Sequence, residues 1–265
     1  MAVKSARALV NLKEKGHFEH KDARIIDKYT LADELPAKLS ELGLRPRAMA
    51  TKPAYIIRVL NENDREQVLD FLRRFFFRDE PMNLAVNLLE TPESRCDELE
   101  NYACESLKDG ISVAAVDSDG QIVGLILNGI ARKESPLFTD QGKCEECTNP
   151  KFLKILRVLG HLDKEAKIWE KLPEDCNTVI EIRIASTHSD WRGRGLMRVL
   201  CDETERIANK LGAGAIRMDA TSAFSAAAAE RLSYKKVFSV PYAELPYAPQ
   251  PEAPHFEARV YLKEI

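Results

Sequence analysis

Hydrophobic and polar residues alternate along the chain with two different periods. Helical spacing of apolar positions recurs over residues 65–77, 82–90, 96–108, 150–171, 195–211 and 225–232. Apolar runs and two-residue alternation, both typical of strands, occupy residues 55–60, 111–116, 121–127, 179–185, 214–220, 237–240 and 256–262. This order of strands and helices predicts an α/β fold built on a mixed sheet.

One strand pairing is indicated by its turn. The residues AspSerAspGly at 117–120 separate the apolar runs 111–116 and 121–127. Asp and Gly accept the left-handed backbone that a tight turn needs. The sequence therefore predicts an antiparallel hairpin at this point.

The first part of the chain differs from the regular pattern that follows. Residues 1–52 mix basic and acidic stretches with one amphipathic segment at 31–44, and residues 45–53 have the composition of a linker. The strand pattern at 55–60 begins the main part. We therefore expect an N-terminal extension over residues 1–52, partly helical or mobile, and a single main domain over residues 53–265.

Composition restricts the class of protein. The chain has 265 residues, of which 45% are hydrophobic and 31% charged, and its 12 Gly and 13 Pro exclude collagen-like and wholly disordered chains. A formal net charge of −3 provides no global positive field. No apolar stretch approaches the roughly 18 residues that span a bilayer. We expect neither nucleic acid nor a membrane as a partner.

The cysteines indicate a reducing compartment. Six of them are scattered along the chain without a signal peptide, so free thiols and a cytoplasmic location are expected. A mitochondrial transit peptide at residues 1–16 is the alternative. That stretch has helical spacing and a few cations, but it holds one Arg, one Ser and the acid Glu14.

The most informative segment is residues 186–200, which joins a predicted strand to a predicted helix through a loop with two glycines. Such a loop directs several backbone N–H groups toward one point, which suits a pyrophosphate. It is not a GxxxxGK[ST] phosphate loop, because no Lys-Ser/Thr follows, and Gly193 and Gly195 do not continue into GxGxxG. A plain strand-to-helix turn is the alternative.

The pattern Arg192-x-x-Gly195-x-Met197 resembles the pyrophosphate motif Q/R-x-x-G-x-G/A of the GNAT superfamily of N-acetyltransferases. Further blocks within the main domain resemble the insect arylalkylamine (dopamine) N-acetyltransferases: 75–83, 122–129, 149–156, 222–234 and 253–255. The resemblance implies the GNAT fold, a mostly antiparallel mixed sheet flanked by helices. It also implies acetyl-CoA as cosubstrate, bound by Ile184, Ala185, Ser186, Thr187, Arg192, Gly193, Arg194, Gly195, Met197 and Arg198.

Acetyl transfer to an amine requires a base for the cationic amine and a proton for the leaving thiolate. By resemblance, Glu80 occupies the place of the catalytic glutamate of the family, and Thr221 and Ser225 occupy the places of its two serines. Burial against the aromatic run 75–77 would raise the pKa of Glu80, and a bound ammonium would lower it. The alternatives are a solvated Glu80, with Asp79 as its nearest competitor, and Ser225 as a helix N-cap.

The chain departs from the family pattern at three positions. Met197 replaces the final Gly/Ala of the phosphate motif and either crowds the helix start or points into the core. Ser233 stands in the place of the glycine in the usual LeuGlyPhe ending. Ala229 stands where many relatives have a proton-donating tyrosine.

Several other residues have less specific signals. Cys144 and Cys147 have the spacing of half a zinc site, but no second pair or nearby His completes four ligands, so no metal is expected. His188 and His255 are expected to be structural hydrogen-bonding residues. Trp191 is expected either to pack or to contact a ligand.

These observations predict a monomeric, acetyl-CoA-dependent N-acetyltransferase that acts on an arylalkylamine by direct transfer in a ternary complex. The same fold acting on a polyamine, a hydrazine or an amino-acid derivative is the first alternative. A non-catalytic acyl-CoA-binding protein is the second.

Overall fold

A computed structural model of the chain describes residues 55–134 and 144–265. The predicted extension over residues 1–52, with its helix at 31–44, lies outside the described residues. The boundary proposed at residue 52 therefore stays a prediction.

Seven strands form one sheet with the order β1-β2-β3-β4-β5-β7-β6. β4 and β5 are parallel, and every other pair of neighbours is antiparallel. This confirms the predicted α/β class with a mixed, mostly antiparallel sheet. The strands are β1 Tyr55–Leu60, β2 Ser112–Asp117, β3 Ile122–Arg132, β4 Thr178–Thr187, β5 Ala215–Ala220, β6 Lys235–Pro241 and β7 Glu257–Glu264.

Helices connect these strands in the predicted order. Those that lie wholly within the described residues are α1 Arg65–Phe75, α2 Pro81–Ala85, α3 Asp97–Glu105, α4 Pro150–Ala166, α5 Leu196–Leu211 and α6 Ala223–Arg231. Short 3-10 turns are found at Glu62–Asp64, Ile168–Glu170, Ser189–Trp191 and Tyr242–Glu244.

Several predicted helices are shorter in the structure, and for two of them a left-handed residue explains the early end. The helix expected over 82–90 is the single short helix α2, because Asn87 adopts a φ of 48°, which a right-handed helix cannot contain. The helix expected over 150–171 ends earlier, as α4, because Lys167 has a φ of 46°. Hydrophobic spacing continues through both breaks and could not reveal them.

The predicted hairpin is confirmed as β2 and β3. In its turn, the carboxylate of Asp117 accepts hydrogen bonds from the backbone N–H groups of Asp119 and Gln121 at 3.0 and 2.9 Å. The side chain thus satisfies the donors that the turn leaves unpaired.

Helices cover both faces of the sheet. α1, α3 and α4 pack on one face, in a core that includes Leu69, Leu125 and Leu156. α5 and α6 pack on the other face, in a core that includes Ile126 and Leu200. Neighbouring residues of β3 therefore point into opposite cores, as the two-residue period of a strand requires. Burial on both faces explains why its sequence is a continuous apolar run.

β4 and β5 separate at their carboxyl ends. Val179–Ile182 pair with Ala215–Met218, but β4 then continues to Thr187 beside β3 alone, while β5 continues to Ala220 beside β7. A register shift in the β3–β4 ladder leaves Arg183 as an extra residue of β4, and such a bulge bends a strand. The two parallel strands therefore open a gap at this edge of the sheet.

All six cysteines are free thiols. In the part of the chain that the structure describes, no helix combines the length and the apolar character needed to cross a bilayer.

Candidate active site

The loop between β4 and α5 presents its main chain to the surroundings. Gly193 and Gly195 have φ values of 74° and 82°, a left-handed conformation that favours glycine. Gly195 is the N-cap of α5 and provides no capping side chain. Within residues 55–134 and 144–265, the N–H groups of residues 193–197 make no hydrogen bond of standard geometry. A Cβ atom placed on Gly195 would meet no atom within 4 Å, so the loop is open to an anionic ligand.

Exposed guanidinium groups surround this loop. Arg192 donates to the carboxylate of Asp79 at 3.1 Å and to the carbonyl of Thr187 at 3.2 Å. Arg194 lies 5.9 Å from the centre of the Trp191 ring, and Arg198 is also exposed. A chain with a net charge of −3 thus has a local concentration of positive charge beside the open N–H groups.

The three departures from the family pattern have structural explanations. Met197 is half-buried against the core beneath α5, so its side chain leaves the loop free. Ser233 adopts a φ of 66°, the conformation for which a glycine has no steric cost. Ala229 is completely buried in the core, so no side chain from this position reaches a site.

The end of β4 adjoins the gap between the parallel strands. Ile184 and Ser186 are buried, and Ala185 and Thr187 are half-buried. The Ser186 hydroxyl donates to the carbonyl of Phe75 at 3.0 Å, which fixes the end of α1 against this strand. Beyond Ile182, no strand among the described residues pairs with the β4 edge that faces β5.

Glu80 is a buried carboxyl group at the start of α2. Its side chain is the N-cap of that helix and accepts from the backbone N–H of Asn83 at 2.8 Å. Its other oxygen accepts from the Thr221 hydroxyl at 2.9 Å. Only 9% of Glu80 is exposed, so the solvated alternative is wrong, whereas Asp79 is exposed beside Arg192. Burial raises the pKa of Glu80 to about 7, although both hydrogen bonds lower it.

The two hydroxyl residues after β5 have different partners. Thr221 bonds directly to Glu80. Ser225 exchanges hydrogen bonds with Ser222, with the two hydroxyl oxygens 2.9 Å apart. The N-cap of α6 is Ser222, with Ser225 three residues later as the second member of a capping box. The alternative that made Ser225 the N-cap is therefore wrong.

One cavity contains both Glu80 and Thr221. Its walls are mostly apolar and come from the end of α1, from α2, α3 and α4, and from β4; they include Phe76, Met82, Tyr102, Phe152, Leu159 and Ile184. Three of these wall residues are aromatic, which suits the ring of a small ligand.

The remaining wall of the cavity is charged. Arg217 is 4% exposed and donates to both oxygens of Asp219 at 2.8 Å, to Asp163 at 2.6 Å and to Glu181 at 3.4 Å. Glu181 also accepts from Arg183 at 3.3 Å. Three carboxylates thus face two guanidinium groups, all of them lining the cavity. A cationic ligand is favoured in such a site.

Sequence reasoning missed this charged wall. Glu181 and Arg183 alternate with the isoleucines of β4, and Arg217 and Asp219 interrupt the apolar residues of β5. Charged residues inside strands of a doubly covered sheet are a usable signal, because burial of a charge requires partners. The spacing alone does not reveal that this face of the strands borders a cavity.

The remaining candidates make structural contacts. The ring nitrogen Nδ1 of His188 accepts from the backbone of Asp190 at 3.1 Å, and Nδ1 of His255 accepts from the backbone of Ala223 at 3.1 Å. Trp191 packs edge-on against Tyr55. Among the described residues, no group of three or more His, Cys, Asp or Glu side chains is placed to hold a metal ion.

Comparison with solved structures identifies the fold. Arylalkylamine N-acetyltransferase 2 from Aedes aegypti has a TM-score of 0.72 and 29% identity over 79% of this chain and 98% of that chain. A mosquito arylalkylamine N-acetyltransferase-like protein, 5b, has a TM-score of 0.70 and 21% identity over 80% of this chain and 100% of that chain. A polyamine N-acetyltransferase of Drosophila melanogaster, which forms N-acetylagmatine, also has a TM-score of 0.70, with 18% identity over 80% of this chain and 100% of that chain.

No family model matches the sequence. The structural likeness extends over the full length of the neighbouring enzymes, and all three are N-acetyltransferases. This supports an acyltransferase of the same kind that acetylates an amine. The chain has the GNAT fold and resembles the insect arylalkylamine N-acetyltransferases, as its motifs predicted.

Proposed function

We propose that this protein is an acetyl-CoA-dependent arylalkylamine N-acetyltransferase that acts on amines of the dopamine, serotonin, tyramine and tryptamine type. Glu80 carries the proposal: it is a buried carboxyl with a pKa of about 7, in a cavity with aromatic walls. A group of that pKa is half ionised near neutral pH and can both accept and release a proton there. We retain the expected monomer and cytoplasmic location as parts of the proposal.

The cosubstrate fits the loop between β4 and α5. Open N–H groups at 193–197 and the exposed Arg192, Arg194 and Arg198 provide hydrogen bonds and charge for a pyrophosphate. Ile184, Ala185, Ser186 and Thr187, on the unpaired edge of β4, complete the proposed cosubstrate-binding set. Acetyl-CoA supplies the thioester carbonyl that the amine attacks.

Two features of the acceptor amine, its ring and its positive charge, fit the cavity. Its aromatic ring packs against Phe76, Tyr102 and Phe152, and its ammonium group is attracted to a wall rich in carboxylates. An arylalkylamine is mostly protonated at neutral pH, so it must lose a proton before its nitrogen attacks the thioester. Glu80 is the proposed acceptor of that proton.

The leaving thiolate requires a proton in return. The nitrogen loses two protons in becoming an amide: the one that Glu80 takes before the attack is released to solvent, and the one lost after the attack goes to the thiolate. Thr221 is the hydroxyl that contacts Glu80 directly, so this second proton can be passed through it. Ser225 is the second proposed catalytic hydroxyl, and in this conformation it serves the capping box with Ser222. The structure therefore favours Thr221 over Ser225 as the proton donor.

The charged wall favours one further acceptor class. Asp163, Glu181 and Asp219 together exceed Arg183 and Arg217 by one negative charge. A diamine or polyamine, with a positive charge at each end, would be attracted to both Glu80 and this wall. Acetylation of such an amine is the second candidate function.

A thiol-release assay with acetyl-CoA distinguishes these candidates. The panel contains phenethylamine, tyramine, tryptamine, n-butylamine and 1,4-diaminobutane, and mass spectrometry identifies each N-acetyl product. The proposal predicts the highest kcat/KM for the aryl amines, whereas a preference for 1,4-diaminobutane over n-butylamine and tyramine supports the second candidate. Thiol release no faster with any of these amines than without them, from protein that binds CoA, would contradict both candidate functions.

A further inference from the structure

Tyr242 is a buried phenol next to the proposed catalytic pair. It follows β6 and is 2% exposed, in the core on the α1, α3 and α4 side of the sheet. Its backbone N–H donates to the carbonyl of Phe256 at 3.0 Å, and its carbonyl accepts from Gln250 at 2.9 Å. The main chain of Tyr242 is therefore fixed on both sides, so its ring has little freedom.

The Tyr242 hydroxyl begins a short chain of hydrogen bonds that ends at Glu80. It donates to the backbone carbonyl of Thr221 at 2.7 Å. The Thr221 side chain in turn donates to Oε1 of Glu80 at 2.9 Å. The ladder between β5 and β7 ends one residue before Thr221, so the phenol supplies a partner that the sheet does not.

We propose that Tyr242 is a positioning residue for acetyl transfer: by holding the Thr221 main chain, it keeps the Thr221 hydroxyl on Glu80. The inference rests on the proposed function, since it assigns Glu80 and Thr221 to the reaction. Tyr242 touches neither acceptor nor acetyl-CoA in this assignment. It acts only through Thr221.

The physical reason is the position of Thr221 at the point where a strand ends and a helix begins. Its hydroxyl direction depends on backbone dihedrals that no ladder bond fixes beyond β5. Without the phenol, the Thr221 carbonyl loses this donor and the hydroxyl no longer stays on Glu80. Because the hydrogen bond from Thr221 lowers the pKa of Glu80, its loss moves that pKa upward.

The other groups around Glu80 stay unchanged when the Tyr242 hydroxyl is removed, so a shift in the pKa of Glu80 can be assigned to one contact. Asn83 donates to Glu80 from α2. The charged groups that share its cavity are Asp163, Glu181, Arg183, Arg217 and Asp219. Removal of the Tyr242 hydroxyl leaves all of these in place, so a displaced titration of Glu80 reports the Thr221 contact.

A purely structural role for Tyr242 is the competing explanation. Tyr261 is the matched control, because it is also completely buried and its hydroxyl donates at 2.7 Å, to Glu230. It lies in the core on the opposite face of the sheet. Tyr242→Phe and Tyr261→Phe therefore each remove one buried phenol hydroxyl, and only the first has a connection to Glu80.

The experiment measures kcat/KM for tyramine between pH 5.5 and 9.5 in the wild type and both variants. For Tyr242→Phe we expect the acid limb to move upward by roughly half a unit to one unit, with a loss of roughly 3- to 10-fold below the limb that shrinks at high pH. Tyr261→Phe should keep the wild-type limb. An equal shift in both variants, or in neither, overturns the proposal.

A double-mutant cycle tests whether Tyr242 acts through Thr221. In a Thr221→Val background there is no hydroxyl to hold, so adding Tyr242→Phe should produce less than a 2-fold further change. Independent, multiplicative effects of the two substitutions contradict the inference. They would show a second route from Tyr242 to the reaction.

A measurement that does not depend on enzymatic turnover tests the role of Tyr242 separately from the proposed function. Thermal unfolding across the same pH range reports the titration of Glu80 through its linkage to stability. If the wild type acetylates no amine, the proposed function fails. The hydrogen-bond chain is still supported if Tyr242→Phe, but not Tyr261→Phe, displaces that titration upward, and it is contradicted if the two variants match.

Discussion

The loop between β4 and α5 and the cavity that contains Glu80 and Thr221 are built from different parts of the polypeptide. In the loop, the N–H groups of residues 193–197 make no hydrogen bond of standard geometry to the described residues, so the main chain offers the donors, and its left-handed backbone at Gly193 and Gly195 favours glycine. In the cavity, side chains from the end of α1, from α2, α3, α4, β4 and β5 meet in one place. Any residue except proline that adopts the loop backbone supplies an N–H group, whereas the proposed proton acceptor requires a carboxylate at the position of Glu80.

The loop and the cavity also differ in how their polar groups affect the stability of the fold. The loop is exposed and its open N–H groups can be satisfied by water. Glu80 is buried with a raised pKa, so its ionised form destabilises the folded protein. The cavity therefore contains a carboxyl group whose burial lowers the stability of the folded protein wherever the group is ionised.

The largest expected effect concerns proton acceptance at Glu80. Glu80→Gln keeps the size of the side chain, so kcat/KM for a cationic amine should fall by roughly 10²- to 10⁴-fold at neutral pH while CoA affinity is retained. The loss should shrink as pH approaches the pKa of the amine, because a neutral substrate needs no base. Asp79→Asn is the neighbouring control. If Asp79→Asn removes turnover and Glu80→Gln retains it, the base is Asp79.

The next effect concerns the main chain of the loop. Gly195→Glu fills the open approach and adds negative charge, and we expect CoA affinity to fall by at least about 100-fold. Gly120→Glu is a matched control, because Gly120 has a φ of 77° and equally open surroundings in the β2–β3 turn. Calorimetry on both folded variants measures the affinity. Equal affinity in the two variants would place CoA elsewhere.

A smaller effect is expected at the hydroxyl that joins the cavity to β5. Thr221→Val preserves shape but removes the donor to Glu80, so kcat/KM should fall by roughly 10-fold and its acid limb should move upward. Thr221→Ser should restore both, since serine supplies the same hydroxyl. Wild-type kinetics for Thr221→Val would make Ser225 the proton donor to test next.

The smallest effect concerns the stability of the buried carboxyl. Because the pKa of Glu80 rises from 4.5 to about 7 on folding, ionisation destabilises the fold progressively between these pH values, and fully above pH 7, by about 3 kcal/mol. Glu80→Gln should therefore raise the free energy of unfolding at pH 8 by up to that amount and show no advantage below pH 4.5. Urea unfolding at both pH values measures the difference.

Glu100 provides a control of opposite sign. It is also buried, but Arg73 donates to both of its oxygens at 2.8 and 2.6 Å, and this bond lowers the pKa of Glu100. Its contribution to stability is therefore present above its ordinary pKa and is lost as pH falls through the lowered value. Glu100→Gln should destabilise the protein at pH 8. If Glu80→Gln and Glu100→Gln changed the free energy of unfolding at pH 8 in the same direction, ion pairing would not explain the difference between these two carboxyl groups.

The sequence by itself determined the strands, most helices and the glycine-containing loop between β4 and α5. Local patterns suffice for these features: apolar alternation marks β4, a hydrophobic stripe marks α5, and residues 192–198 are contiguous, so one motif contains the whole loop. The breaks at Asn87 and Lys167 escaped detection, because residues with side chains adopt a left-handed conformation there without a local signal.

Only the tertiary structure decided the cavity around Glu80 and Thr221. Glu80 and Thr221 are 141 residues apart, and their hydrogen bond exists because α2 and the end of β5 meet beside the gap where β4 and β5 separate. The charged wall around Arg217 and the phenol of Tyr242 depend on the same convergence. Burial, ion pairing and pKa are properties of neighbours in space, and neighbours this distant in sequence are set by how the helices pack on the sheet.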